Sequence, residues 1–214
     1  MKLTKFNHSC VRLEDGSNTL VIDPGAFSTP ADALAGADGV LITHEHADHV
    51  DVDALLAAAA AQTDLRVWAP ASLAGMLAPL GERFTAVGAG EQFDAVGFGV
   101  STVGGQHALV HPLVPIVSNV GYVVNNVLYH PGDSFIVPPK AVDTVLVPIH
   151  APWSKVGEVI DFVIATRAKQ TFQIHDGLLN QTGLGMVEGM ASRFGGMYGS
   201  TFTHLNAADS VDLG

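Results

Sequence analysis

The chain reads as a layered α/β protein with two similar halves. Short apolar, β-branched segments alternate with Gly/Pro breaks along all 214 residues. Helical patterns are fewer and fall between groups of strands, in the order strands, helix, strands, helix, strand. Hydrophobic residues make up 48% and charged residues only 14%, the reverse of a disordered chain's balance. At this length a single domain spanning residues 1–214, with a sizeable core, is expected.

The first strands are expected at Leu3–Phe6, Val11–Leu13 and Thr19–Ile22, with Asp15-Gly16 as a hairpin turn. Val40–Thr43 is a fourth apolar run. Asp51–Ala61 has an acidic first turn followed by strong helix formers, and so reads as a helix. Arg66–Trp68 is a strand and Ser72–Leu77 a short helix. In the second half, Gly99–Val103 is followed by Gly121–Val124 and Val127–His130, which flank a turn at Asn125-Asn126. Thr144–Ile149 then leads to the clearest helix, Ser154–Arg167. There Ser154 is placed to cap, and Val156, Val159, Ile160, Val163 and Ile164 form one stripe. Thr171–Ile174 and Thr201–Leu205 complete the strands. No sequence repeat is strong enough to establish a duplication.

Composition narrows the function. No stretch approaches the roughly 20 apolar residues that span a bilayer, so no membrane segment is expected. Lys and Arg number 10 against 21 Asp and Glu, a net charge of −11, which opposes a long nucleic-acid partner. The opening MKLTKFNHSCVRLED carries no apolar leader pattern, and there is one cysteine, Cys10. Together these point to a reducing cytoplasm. High apolar content with low charge points to a homo-oligomer. The anomaly is 10 histidines, as many as Lys and Arg combined.

Those histidines concentrate in Thr43-His44-Glu45-His46-Ala47-Asp48-His49, between an apolar strand and the Ala-rich helix. On an extended segment His44 and His46 point to one side, which is half of a zinc site. Asp48 and His49 fall where the chain turns into the helix and face a second point nearby. Such a composition is poor for a bare surface and expensive for a core. Glu45 points away from its neighbours and is a non-ligand. One short loop cannot enclose two ions. The further donors are His107 after Gly104-Gly105, Asp133 in His130-Pro131-Gly132-Asp133-Ser134, and His175 directly after Ile174. Each ends an apolar strand, where open α/β sheets place their sites.

Thr-His-x-His-x-Asp-His, a lone His, Gly-Asp and a final His, in that order, resemble the metallo-β-lactamase superfamily over nearly the whole chain. Asn7-His8-Ser9-Cys10 and Leu20-Val21-Ile22-Asp23-Pro24-Gly25 look like the first hairpin of its small bacterial metal-dependent hydrolases, and Leu205–Leu213 like their last strand and turn. The resemblance implies an αβ/βα four-layer sandwich, two mixed sheets face to face with helices outside. It implies two divalent ions per chain. Zinc is the first expectation, with manganese or iron as the others. His44, His46 and His107 would hold one ion, Asp48, His49 and His175 the other, and Asp133 would bridge them. It also gives Asp48 a catalytic role, orienting the nucleophile and passing a proton to the leaving group.

The implied reaction is hydrolysis of a small-molecule ester, lactone, thioester or phosphoester. Zinc lowers the pKa of bound water from 15.7 to about 7 and so supplies a bound hydroxide at neutral pH. Alternatives are a small-nucleotide phosphodiesterase, an iron-dependent redox enzyme on the same scaffold, and a metal-binding protein without turnover. Asp23 and His8 are candidates to brace the ligands from behind. His150, Trp153 and His111 are candidates for the rim of the cleft, while His130 and His204 read as structural. Cys10 has no evident base nearby and reads as a buried small residue.

Overall fold

The structure, a computed structural model, describes residues 1–214. Its first half runs β1 (Lys2–Lys5), β2 (Val11–Asp15), β3 (Asn18–Ile22), α1 (Pro30–Leu34), β4 (Gly39–Leu41), α2 (Val52–Ala61), β5 (Arg66–Ala69) and β6 (Phe84–Ala86). The second runs β7 (Gln92–Ala95), β8 (Phe98–Gly104), β9 (Val120–Val124), β10 (Leu128–His130), β11 (Thr144–Pro148), α3 (Val156–Thr166), β12 (Gln170–Ile174), α4 (Gln181–Gly196), β13 (Thr201–Thr203) and β14 (Ser210–Asp212).

Two seven-stranded sheets result, ordered β14-β1-β2-β3-β4-β5-β6 and β13-β12-β11-β10-β9-β8-β7. Each begins as an antiparallel meander, β1 to β3 and β7 to β10. Each then continues in parallel, β3 to β6 and β10 to β13. The two similar halves are therefore present as topology. β14 leaves the second half and pairs with β1 in the first sheet. No helix is long and apolar enough to cross a membrane.

Period-two alternation sorts the strands between layers. Val11, Leu13, Leu20 and Ile22 meet Val120, Tyr122, Val124, Phe172 and Ile174 in the core between the sheets. Val21, Val40, Ile42 and Val67 point outward and are covered by Leu34, Leu55 and Ala59 of α1 and α2. Val145 and Val147 are covered by Val159, Phe162 and Val163 of α3. This is the four-layer sandwich.

Several elements differ from expectation. β4 stops at Leu41 because the Thr43 N–H leaves the ladder for Asp23 Oδ1, at 2.8 Å. The last expected strand stops at Thr203, and the Leu205 N–H bonds the Gln173 side chain instead. Ser72–Leu77 forms only a 3₁₀ turn at Ala71–Leu73. Ser154 does not cap α3. Its hydroxyl accepts from Ala151 N–H, and the helix starts one residue later, with the Lys155 N–H donating to Glu158. The buried face of α3 is Val159, Phe162, Val163 and Thr166, rotated from the expected stripe, and Val156 is exposed.

The sequence reading omitted α1, β6, β7 and α4. The longest helix, α4, is hidden by its five glycines, which are poor helix formers. One of them has a packing reason, since a Cβ on Gly195 would sit 2.7 Å from Val163 of α3.

Candidate metal centre

The seven donors converge where strand ends of both sheets meet. His44, His46, Asp48 and His49 lie on the loop between β4 and α2, while His107 follows β8, Asp133 follows β10 and His175 follows β12. Together with His8 they form two groups, each with its donor atoms within 4.8 Å of one another. One comprises His44, His46, His107 and Asp133, the other Asp48, His49, His175 and His8. Asp133 also reaches the second group, with Oδ1 2.9 Å from His49 Nε2 and Oδ2 3.2 Å from His175 Nε2.

The outer nitrogens of these rings are already engaged. His107 Nδ1 donates to the Ala108 carbonyl at 2.6 Å and His175 Nδ1 to the His150 carbonyl at 2.7 Å. His49 Nδ1 donates to Asp23 Oδ2 at 2.6 Å. Thr43 Oγ1 gives its proton to Asp23 and therefore accepts from His44 Nδ1, at 3.0 Å. Four imidazoles thus carry a proton on Nδ1 and turn Nε2 inward, the ring orientation a metal ligand needs. His46 is reversed, its Nδ1 lying 3.0 Å from His44 Nε2.

Despite these close approaches, the buried inward atoms His49 Nε2, His175 Nε2 and Asp133 Oδ1 make no well-directed hydrogen bond. Unpaired buried polar atoms are costly. Imidazole and carboxylate donors that converge in this way fit divalent cations, which would satisfy these atoms.

Electrostatics follows from burial and crowding. Burial, with His49 beside it, holds His44 well below the usual histidine range. Burial also opposes charge on His49, but Asp133 and Asp23 outweigh it and hold that ring well above. His175 is pushed up to about 9, because Asp133 and Asp48 overcome its burial. Burial works against charge on Asp48 too, yet the His175 ring beside it and the hydrogen bond from His8 keep its carboxyl well below the usual range.

The supporting residues have defined tasks. Asp23, fully buried, accepts from the Thr43 N–H, the Thr43 hydroxyl and His49. His8 Nδ1 accepts from the Gly177 N–H at 3.2 Å, so its proton sits on Nε2 and is given to Asp48 Oδ2 at 3.1 Å. Both ring nitrogens of His8 are occupied, which makes it a brace for Asp48. Gly25 permits this placement, since a Cβ there would overlap the Asp48 carbonyl. Asp133 is fixed by its N–H to Asn119 Oδ1 and by Trp153 Nε1, which donates to Oδ2 at 3.0 Å. His8, Asp23 and His175 all hold positive φ, at 45°, 51° and 57°, sparsely populated backbone of the kind that gathers at functional sites.

The weaker candidates divide. Trp153 lines the cavity over the centre, and its bond to Asp133 had no sequence signal beyond a tryptophan near a strand end. His150 contributes its carbonyl to His175, and its ring is not among the cavity-lining residues. The exposed His111 accepts from the Leu113 N–H within its own turn. His130 donates to the Ser9 carbonyl and His204 to Glu188, both structural. Glu45 belongs to neither donor group. Cys10 is buried, its thiol pushed up to about 12 by desolvation. A larger cavity of about 600 Å³ lies on the outer side of β8 and β9, beside Pro138 and Pro139, and contains none of the histidines. Histidine and carboxylate donors line the smaller one.

Comparison with known proteins agrees with this geometry. Residues 2–175 match the family profile described as the Beta-lactamase superfamily domain. Protein Rv0786c of Mycobacterium tuberculosis is 35% identical, over 88% of this chain and 90% of its own length. A UPF0173 metal-dependent hydrolase of Methylobacterium nodulans is 32% identical, over 70% and 72%. Among solved structures, Igni18, a metallo hydrolase from Ignicoccus hospitalis, superposes with a TM-score of 0.74 at 20% identity, covering 98% of this chain and 97% of that one. The chain belongs to the metallo-β-lactamase superfamily, among its metal-dependent hydrolases.

Proposed function

We propose that the protein is a dinuclear hydrolase, with zinc as its metal, that cleaves a small-molecule ester, lactone, thioester or phosphoester in the cytoplasm. One observation carries this reading: four histidines donate outward through Nδ1, so that their Nε2 atoms, with both oxygens of Asp133, converge on two neighbouring points. His44, His46 and His107 would hold one ion, Asp48, His49 and His175 the other, and Asp133 would serve both. When bound, such a pair acidifies water to a nucleophile at neutral pH and polarises the substrate oxygen.

The chain's own groups supply the rest. Asp48 keeps Oδ2 on the His8 N–H, which fixes the plane of its carboxylate. It accepts the nucleophile's proton and returns it to the leaving oxygen or sulfur, acting as general base and then acid. Asp133 is held rigid by Asn119, Trp153 and Ala108, so its carboxylate keeps one orientation through the reaction.

Elemental analysis of protein purified without chelator or nickel resin tests the reading. Near two zinc ions per chain, with turnover on an ester, lactone and phosphodiester panel that Asp48→Asn abolishes, is the expected result. Less than one ion, not restored by added metal, overturns it. Two irons redirect it to redox chemistry.

A further inference from the structure

The cavity over the centre measures about 240 Å³, and its walls differ from its floor. The floor is made of site residues. The walls are Val110, Pro152, Trp153 and Leu178. All ten Lys and Arg side chains lie elsewhere, and none lines this cavity. We propose that the centre takes an uncharged carboxylic ester or thioester of an apolar acid, with the acyl chain lying on that wall. The inference rests on the hydrolase reading and names its substrate class.

The wall is built and held. Trp153 cannot swing freely, because its Nε1 is bonded to Asp133 and its ring packs edge-on against Phe135 at 5.1 Å. The same ring stands 5.9 Å from His107 and 6.2 Å from His175, so it presents apolar surface beside the reacting position. Leu178 follows a turn pinned at Asp176 by Lys5 and at Gly177 by His8, yet is 50% exposed. Val110 opens onto an apolar lip. The lip's stem is closed by the His107 N–H on the Val117 carbonyl, at 3.0 Å, and the Ala108 N–H on that of Asp133, at 2.8 Å. Along it Leu109, Leu113, Val114 and Ile116 are all exposed, Leu113 to 86%. Grouped exposed apolar side chains mark a binding surface, and this group is continuous with the cavity through Val110.

Charge points the same way. The ionisable side chains lining the cavity are His46, Asp48, His107, Asp133 and His175, and the chain carries −11 overall. A charged group on the substrate away from the reacting carbonyl finds no partner there, whereas a hydrocarbon chain is favoured on such a wall. In the reaction, water's oxygen bonds the acyl carbon and the acyl–oxygen or acyl–sulfur bond breaks. Asp48 carries one proton of the water to the leaving group, giving a carboxylic acid and an alcohol or thiol.

The test is a chain-length series on the metal-loaded protein. We would measure kcat/KM for p-nitrophenyl acetate, butyrate and hexanoate. In parallel, calorimetry gives the Kd of aceto-, butyro- and hexanohydroxamate, which chelate metal without turning over. Each buried methylene is worth about fourfold, so both series are expected to strengthen with length. Val110→Ser and Leu178→Ser should flatten both slopes. Esters that turn over with a flat or falling dependence overturn the proposal and leave the hydrolase reading standing. If no ester turns over, the ester assignment fails while the lactone and phosphoester readings stand, and the hydroxamates decide separately: rising affinity supports the apolar wall and flat affinity removes it. Should a flat series accompany a dimer that Leu113→Asp dissociates in light scattering, the lip belongs to a second copy of this chain.

Discussion

Tyr122 Oη donates to the carbonyl of Ile42 at 2.8 Å, so the second sheet holds the end of the strand that delivers the histidine loop. Both residues are fully buried, and no water can replace the bond. Tyr122→Phe should lower stability by about 1–2 kcal/mol, the cost of leaving a buried acceptor unpaired. Urea unfolding reads this as a lower midpoint with an unchanged slope.

Asp23 is sealed away from the cavity and yet orients two of the proposed ligand rings. Asp23→Asn keeps the volume but offers one acceptor oxygen where three donors converge. Metal affinity should fall by about 10- to 100-fold, as for other residues that orient ligands. Competition with a chromophoric chelator measures it, and affinity equal to wild type would remove Asp23 from the supporting shell.

His8 separates a brace from a ligand. Because Gly177 and Asp48 occupy both of its ring nitrogens, His8→Ala should leave the metal content unchanged while lowering kcat. Elemental analysis beside steady-state kinetics distinguishes the two roles. A lost ion would make His8 a ligand.

Gly25→Ala places a methyl group against the Asp48 carbonyl. The loop must shift, and displacement on the ångström scale at a reacting group costs on the order of a hundredfold in rate. Wild-type kcat in this variant would show that Asp48 tolerates movement.

Cys10 gives an alkaline signature. Its thiol is pushed up by burial to about 12 when folded, from an ordinary 9.0. A raised folded pKa contributes stability that is complete below about pH 9 and is lost as pH rises toward 12. Cys10→Ala should therefore show a shallower loss of stability than wild type between those values. Native protein should resist iodoacetamide at pH 8 and react once unfolded.

The donor set was legible because it is local in sequence: three histidines and an aspartate in one loop, then single residues at strand ends. The strands were legible as alternation in Val11–Leu13 and as a short continuous apolar run in Gly121–Val124. What escaped depends on distance through space. α4 packs on α3 and β13 and buries only Ala191 and Gly195, and its glycines hide it. The link from Trp153 to Asp133 joins residues that nothing along the chain pairs. Asp23 could be read as a turn residue until the Thr43 amide turned toward it. The exchange of a ladder bond for a carboxylate is what bends the chain out of β4 and starts the histidine loop.

The donors also arrive in a fixed order of synthesis. His44 to His49 emerge early, whereas Asp133 and His175 emerge after the second meander has been made. His175 is oriented by a carbonyl on β11's exit and by His8 from the opening hairpin. A nascent chain therefore holds loose histidines long before it holds a site, and capture of metal must follow docking of the two sheets. The core between the sheets is apolar and complete without any ion. Cells short of metal should accordingly accumulate a folded, inactive apoprotein that late addition of metal rescues without refolding.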